Sequence, residues 1–189
     1  INYNVIISIY FYIVNKNGLD ILISDDKLTQ LEKIFKGDIE NELSCIADIN
    51  YLFDDYDFVV FDTEGTINNM TRAILKVTDY IFTPTQASNI DVNGIRDLLD
   101  IFELSKRRNP SLEVKKIFLV RAKHQTNAYK SFSEQLKSYF DEKQFSEVAI
   151  RENQDIINAM SEQLDIFSYK KSSNGAIDYK NLVDEFLEE

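Results

Sequence analysis

Apolar residues along this chain follow two periods that alternate with each other. Short runs rich in Val, Ile, Leu and Phe, typical of strands, are separated by longer segments whose apolar residues return every three or four positions, typical of helices. Strands that alternate with helices indicate βαβ units and a mainly parallel sheet, and right-handed crossovers then place helices on both faces. The pattern predicts a single doubly wound α/β domain over residues 1–189, with residues 1–18 left as an amino-terminal segment of open assignment.

The predicted elements follow one another in a regular order. Strands are expected at residues 19–24, 57–62, 80–83, 115–120 and 145–150. Helices are expected at residues 28–35, with Gly37 ending the helix, and at 39–53, 70–77, 90–105, 129–140, 155–163 and 175–187. Pro84 is expected to end the third strand, because a proline has no N–H for the hydrogen-bond ladder.

Candidate chemistry is concentrated in residues 56–65, Tyr-Asp-Phe-Val-Val-Phe-Asp-Thr-Glu-Gly. The run 58–61 is wholly apolar, which predicts a strand buried on both faces of a parallel sheet. Asp62 follows at the carboxyl end of that strand, where open α/β sheets place their ligand crevice. A carboxylate there commonly serves a hydrated Mg²⁺ beside phosphates, but an Asp at a strand end also commonly caps the next helix. The residues alone leave both interpretations open.

Composition and charge narrow the class of protein. Hydrophobic residues make up 44% and charged residues 28% of the chain, as in ordinary globular domains. The net charge of −11 opposes tight binding of nucleic acid by the monomer as a whole, but it is compatible with a local basic patch that works in a dimer. The single cysteine, Cys45, precludes an internal disulfide and fits a reducing cytosol. No apolar stretch approaches the roughly 20 residues that span a bilayer, so we expect a cytoplasmic protein without a membrane partner.

Several segments resemble, in order and spacing, those of one known family. Residues 56–65 resemble a Walker B strand of the form YD, apolar residues and DTPP, and residues 73–79 and 80–86 resemble NALxAAD and xVLIPVQ. Residues 93–99 resemble xxGLxxLL, residues 150–153 resemble an IPRN turn, and residues 172–179 resemble SKGAxxY before a last helix. Over residues 19–189 the chain is thereby similar to the ParA/MinD group of P-loop ATPases, and most similar to the ParA-type plasmid and chromosome partition proteins.

The resemblance implies a fold, a cofactor and partners. ParA-type proteins have a doubly wound fold around ATP and Mg²⁺, and ATP joins two subunits in a homodimer. That dimer binds DNA without sequence specificity, and a centromere-binding partner protein stimulates ATP hydrolysis. The resemblance therefore implies a cytoplasmic partition ATPase, although no catalytic side chain is assigned in this chain.

The resemblance also assigns site residues. Asp62 is expected to reach the Mg²⁺ through a water molecule, Thr63 to lie near the metal, and Gly65 to sense the γ-phosphate. Arg151 and Asn153 match the turn that contacts adenine in relatives. The two basic residues before the last helix, where relatives carry DNA-binding residues, are Lys170 and Lys171.

One departure from the family pattern is large. The family has a phosphate loop of the form KGGxGK[ST], yet none of the five glycines here is followed by Lys-Ser or Lys-Thr. The second acidic motif, DxDPQ, is missing too. Residues 1–14 either correspond to the segment that comes after those motifs in the family, or residues 5–10 form the first core strand and the loop is missing after it. Because the chain begins with Ile1, we expect it to be part of something longer or to have lost a segment.

Two predictions follow from the missing loop. The 189-residue chain is expected not to bind ATP tightly, since the loop supplies most of the donors that neutralise a triphosphate. The alternative to a partition ATPase is a non-catalytic ParA-related module that dimerises with a full-length partner and regulates it.

Overall fold

The computed structural model describes residues 11–16, 18–24, 56–63, 69–86, 92–122, 131, 134, 138 and 140–187. The helices predicted at 28–35 and 39–53, most of the helix predicted at 129–140, and the alternative first strand at 5–10 lie outside the described residues. The chain divides into two compact units, residues 1–78 and 79–189. The prediction of a single domain over the whole chain stays a prediction.

The first unit contains a β-hairpin. Strands β1 (Phe11–Lys16) and β2 (Leu19–Ser24) pair antiparallel, and Gly18 between them has a φ of 84°, which glycine adopts at little cost. The Asp20 carboxylate accepts hydrogen bonds from Asn15 Nδ2 at 2.5 Å and from the Tyr56 hydroxyl at 2.8 Å. These bonds hold the pKa of Asp20 below its ordinary value. The strand predicted at 19–24 is confirmed, whereas its partner β1 was not predicted.

The prediction of a buried strand at residues 57–62 is wrong. Residues 56–63 have no regular secondary structure, and Phe58 and Val60 are 74% and 88% exposed. A strand buried on both faces requires neighbouring strands and a layer of helices on each side. None of the described strands pairs with residues 56–63, so the apolar run lacks the neighbours that its pattern presupposes. Helix α1 (Asn69–Ile74) follows and confirms, in shorter form, the helix predicted at 70–77.

The second unit is built on a parallel sheet. Its strands are β3 (Tyr80–Thr85), β4 (Glu113–Ala122) and β5 (Ile150–Arg151), in the order β3-β4-β5. The helices of this unit whose bounds the structure describes are α2 (Val92–Lys106), α3 (Gln154–Ser161), α4 (Ile166–Lys170) and α5 (Asn174–Leu187), with a 3₁₀ turn at Glu142–Gln144. Helices α2, α3 and α5 confirm the predicted helices, whereas α4 was not predicted.

Helices cover both faces of this sheet. On one face, Leu99 and Phe102 of α2 pack against the buried cluster that includes Ile117 and Leu119. On the other face, the ring of Phe186 in α5 lies 4.5 Å from that of Phe82 and 6.0 Å from that of Phe118, measured between centroids. Alternate residues of β4 therefore face different helices, as the pleat of a strand requires. This arrangement confirms the predicted doubly wound, mainly parallel α/β fold.

Two predicted strand boundaries in this unit are wrong. Strand β3 continues through Pro84 instead of ending there, and among the described strands it pairs only with β4, so the ladder does not require every N–H of β3. The strand predicted at 145–150 is reduced to Ile150–Arg151 and one bridge between Phe145 and Ile117. The reason is local, because the Ser146 hydroxyl bonds both the carbonyl and the N–H of Val148 and forms a turn in place of the ladder.

Candidate functional site

The carboxyl ends of the three parallel strands meet at one edge of the sheet. Thr85, the last residue of β3, pairs in register with Leu119, and Ala122, the last residue of β4, pairs with Arg151 of β5. Ligands of open α/β sheets bind outside the carboxyl ends of their strands. This edge is therefore the candidate site of the second unit, and it contains two of the residues that the sequence singled out, Arg151 and Asn153.

Arg151 is fixed by a carboxylate on the last helix. Its Nε and Nη2 atoms donate to the Asp178 oxygens at 2.9 and 2.7 Å, and its backbone N–H donates to the same carboxylate at 3.0 Å. The Asp178 side chain is 8% exposed, whereas that of Arg151 is 40% exposed. The hydrogen bonds from Arg151 to Asp178 hold the pKa of the guanidinium above its ordinary value. The pair ties β5 to α5 and leaves part of the guanidinium accessible.

Sequence reasoning missed Asp178, although the sequence contained a signal for it. Gly175, Asp178 and Leu182 are all buried and stand three and four positions apart, so Asp178 occupies the inward stripe of α5. A carboxylate on such a stripe requires a hydrogen-bonding partner, because burying an unpaired charge is costly. The stripe therefore indicated a buried partner for Asp178, but not that the partner would be Arg151.

Asn153 has a structural role in the described residues. Its Oδ1 atom accepts a hydrogen bond from the backbone N–H of Asp155 at 2.7 Å and caps the amino end of α3. Such a cap stabilises a helix by about 1 kcal/mol, because it satisfies one of the free N–H groups of the first turn. The role of Asn153 in contacting adenine stays a prediction.

The two candidate DNA-binding lysines differ in their surroundings. Lys170 lies at the end of α4, and its Nζ atom lies 3.0 Å from the Asp155 carboxylate in an exposed ion pair. Lys171 follows, is exposed, and has no side-chain partner among the described residues. Of the two lysines, Lys171 is therefore the one whose charge is available to a ligand.

The candidate Mg²⁺ residues belong to the first unit. Asp62 and Thr63 are exposed, and Gly65 lies outside the described residues. In the part of the chain that the structure describes, no three His, Cys, Asp or Glu side chains come together as a metal site. A hydrated Mg²⁺ usually needs only one or two carboxylates beside phosphates, so the exposed Asp62 carboxylate fits that chemistry.

A recess of about 360 Å³ lies beside the amino-terminal part of β4, away from the carboxyl edge. Its lining residues are Leu99, Phe102, Glu103, Val114, Ser138, Phe140, Asp141 and Gln144. The described residues of the lining include two carboxylates and neither a lysine nor an arginine, so their charge opposes the binding of a phosphate. The carboxyl edge of the sheet, where part of the Arg151 guanidinium is accessible, remains the better candidate for an anionic ligand.

Comparison with known proteins agrees with this fold. A family model described as AAA domain matches residues 3–114, which is more than half of the chain. The chromosome-partitioning ATPase Soj of Treponema pallidum is 27% identical over 135 residues, covering 71% of this chain and 53% of that protein. The sporulation initiation inhibitor protein Soj of Bacillus subtilis is 25% identical over 169 residues, covering 89% of this chain and 66% of that protein. The chain spans about half the length of the first relatives it matches, 51% in each case.

Solved structures show the same fold at low sequence identity. A plasmid partition protein of Borrelia burgdorferi, solved with AMPPNP bound, superposes with a TM-score of 0.70 at 22% identity, over 93% of this chain and 67% of that one. Cobyrinic acid a,c-diamide synthase of Mycobacterium smegmatis, solved with an ATP analogue and magnesium, superposes with a TM-score of 0.74 at 17% identity, over 93% of this chain and 65% of that one. The fold is thus that of the doubly wound P-loop proteins. The chain belongs to the AAA domain family that matches it, among the ParA/MinD-type P-loop ATPases.

Proposed function

We propose that this chain is part of a ParA-like partition ATPase, which acts with ATP and Mg²⁺ in the segregation of a plasmid or a chromosome. The observation that carries the proposal is the parallel sheet with helices on both faces, in a chain whose relatives include a chromosome-partitioning ATPase. The amide synthase of the same fold binds nucleotide and magnesium as well, so fold alone does not select partition. The chromosome-partitioning ATPase Soj of Treponema pallidum, at 27% identity, favours it.

The nucleotide site is proposed at the carboxyl edge of the sheet. Arg151 would contact the base, since a guanidinium stacks on planar rings and 40% of this side chain is exposed while Asp178 holds it in place. Asn153 would lie beside it. For the first unit, considered by itself, the resemblance proposes Asp62, Thr63 and Gly65 as the residues that serve the Mg²⁺ and the γ-phosphate. When bound, Mg²⁺ neutralises phosphate charge. The proposed roles of Arg151 and Asn153 are to orient the base, and that of Asp62 is to orient the hydrated ion.

Partners are proposed on the same basis. A homodimer, a centromere-binding partner protein and non-specific DNA are expected from the resemblance. Lys171 supports DNA contact more than Lys170, because the Lys170 ammonium already pairs with Asp155. Within the described segments, no helix is long and apolar enough to cross a membrane.

Inheritance of the replicon tests the proposed function. An in-frame deletion of the coding region of this chain, made in its own replicon, is expected to raise the frequency of daughter cells that lack the replicon. Restoring the wild-type gene in trans should reverse the defect. Stable inheritance at the wild-type frequency after the deletion would contradict a role in partition.

A non-catalytic module is the second candidate, and one sequence observation favours it. The 189 residues contain no glycine followed by Lys-Ser or Lys-Thr, so the chain as it stands lacks the loop that holds the phosphates in P-loop proteins. Calorimetric titration with ATP and Mg²⁺ tests whether the missing loop prevents tight nucleotide binding, and we expect no binding with a submicromolar dissociation constant. Tight binding in that titration would contradict the missing loop and with it the module, whereas weak binding is expected of this chain for either candidate.

A further inference from the structure

Strand β4 contains a residue in a backbone conformation that side chains other than glycine rarely adopt. Arg121 has a φ of 50°. The register pairs on either side of it are Val120 with Ile150 and Ala122 with Arg151, so β4 advances two residues where β5 advances one. Arg121 is therefore the extra residue of a β-bulge. Glycine is the usual residue in a left-handed bulge position, because a Cβ atom disfavours positive φ.

The bulge lies at the candidate site. Arg121 is the next-to-last residue of β4, two positions beyond the residue that pairs with the end of β3, and beside the strand that carries Arg151. Bulges are frequent next to functional sites, where they change the direction of a side chain. An unfavourable backbone conformation that persists at a ligand-binding edge points to a role for the residue that adopts it.

The charge of Arg121 is available, whereas that of Arg151 is largely satisfied. Asp178 binds the Arg151 guanidinium through two nitrogen atoms. The Arg121 side chain is exposed and has no hydrogen bond or ion pair with any other described residue. In a chain of net charge −11, an anionic ligand at this edge needs a local cation, and an arginine offers a fork of N–H donors that matches phosphate oxygens.

We propose that Arg121 binds a phosphate group of the ligand held at the carboxyl edge of the sheet. On this proposal, an arginine and not a glycine occupies the bulge position because its guanidinium binds the phosphate. That the phosphate belongs to a nucleotide rests on the proposed function, whereas phosphate binding by Arg121 does not.

Weak-binding measurements on the full 189-residue chain test the proposal. ATP, pyrophosphate and adenosine are titrated separately to millimolar concentrations against ¹⁵N-labelled protein, and affinities are taken from shifts in the ¹H–¹⁵N spectra. We expect Arg121→Ala to lower the affinities for ATP and pyrophosphate about tenfold, because one charge-assisted contact is lost. The affinity for adenosine should stay unchanged. Arg108→Ala is the matched control, since Arg108 is an exposed arginine in the turn before β4, and it should change none of the three affinities.

A glycine variant separates binding from folding. Arg121→Gly should raise the melting temperature by a few degrees, because glycine adopts positive φ without strain. It should lower the affinity for pyrophosphate as much as Arg121→Ala does. Arg121→Lys should retain part of the affinity. A more stable protein that loses phosphate affinity shows that the loss does not come from damage to the fold.

The outcomes distinguish this proposal from the proposed function. If wild-type protein binds ATP and the Arg121→Ala protein binds it equally well, the role of Arg121 is overturned while the nucleotide function stands. If neither ATP nor pyrophosphate shifts the wild-type spectrum, the phosphate site is overturned. If Arg121→Ala weakens pyrophosphate but deletion of the gene leaves inheritance unchanged, Arg121 binds phosphate in a protein that does not act in partition.

Discussion

Gln163 shows how a single residue can be less than optimal for the helix that it ends. The N–H of Leu164 donates to the carbonyl of Ala159 at 2.9 Å, and the N–H of Gln163 donates to that of Met160 at 3.1 Å. These two bonds form the C-terminal motif that requires a left-handed residue, and Gln163 occupies that position with a φ of 55°. Glycine is the residue usually found there.

We expect Gln163→Gly to stabilise the protein by about 0.5–1 kcal/mol, because relief of the left-handed strain exceeds the added entropy of the unfolded chain. Urea denaturation at neutral pH measures the change. Ser161→Gly, at the last residue of α3, is the control and should destabilise by a similar amount, since there the backbone is helical. Equal decreases in the free energy of unfolding for both variants would show that the motif at Gln163 carries no strain.

Gly175 is a residue for which the opposite change is unfavourable. A Cβ atom at this position would lie 2.7 Å from Cγ1 and 2.8 Å from Cδ1 of Ile156. Alanine therefore fits at this position only if the Ile156 side chain of α3 moves. We expect Gly175→Ala to destabilise by about 1–2 kcal/mol, because overpacking outweighs the better helix propensity of alanine.

A double-mutant cycle checks this expectation. In an Ile156→Ala background the clash is absent, so Gly175→Ala should become neutral or stabilising, and the coupling between the two positions should be measurable by chemical denaturation. The same loss of stability in both backgrounds would mean that a steric clash with Ile156 is not its cause.

At the scale of the elements, the Arg151–Asp178 pair joins β5 to α5. Asp178 is buried and accepts from both the side chain and the backbone of Arg151. We expect Asp178→Ala to reduce the free energy of unfolding by about 2–3 kcal/mol; the half-exposed guanidinium regains water, which keeps the loss below that of a fully buried pair.

The same helix offers a control for this variant. Asp184 pairs with Lys180 on the exposed side of α5, and Asp184→Ala should change the stability by less than about 0.5 kcal/mol. Similar losses for Asp178→Ala and Asp184→Ala, measured at neutral pH, would contradict a special role of the buried pair.

The elements that sequence predicted well are those whose signal is local. Helices α2, α3 and α5 follow apolar stripes at helical spacing, and β4 follows an apolar run of ordinary length. The run at 58–61 has the same local signal as β4, but a buried strand also needs neighbours, which local sequence does not encode.

The candidate site depends on local signals only in part. Arg151 and Asn153 were singled out because they stand in a turn that resembles the family's, and their roles in ligand binding stay predictions. The Asp178 contact with Arg151 depends on packing between elements distant in sequence, and the conformation of Arg121 depends on the register between β4 and β5. Neither the contact nor the register is visible in a local pattern.

For the whole molecule, charge limits how DNA can be bound. A chain of net charge −11 is repelled by phosphate everywhere except at local cations, and of the two proposed lysines only Lys171 lacks a partner among the described residues. If the chain forms the proposed dimer and binds DNA through Lys171, that dimer would make about two phosphate contacts. The affinity for double-stranded DNA is expected to fall with salt at a slope of about −2 on logarithmic axes, since each contact contributes about −0.9.

Lys171→Glu in the intact, dimer-competent protein should weaken binding to every DNA sequence alike and flatten this slope, as measured by fluorescence anisotropy over a range of salt concentrations. Lys170→Glu should have the smaller effect, because the lysine it removes is already paired with Asp155. Lys180→Glu, on the exposed side of α5, is the charge-matched control and should leave the slope unchanged. A slope much steeper than −2, or one that Lys171→Glu does not alter, would place the DNA-binding surface elsewhere on the protein.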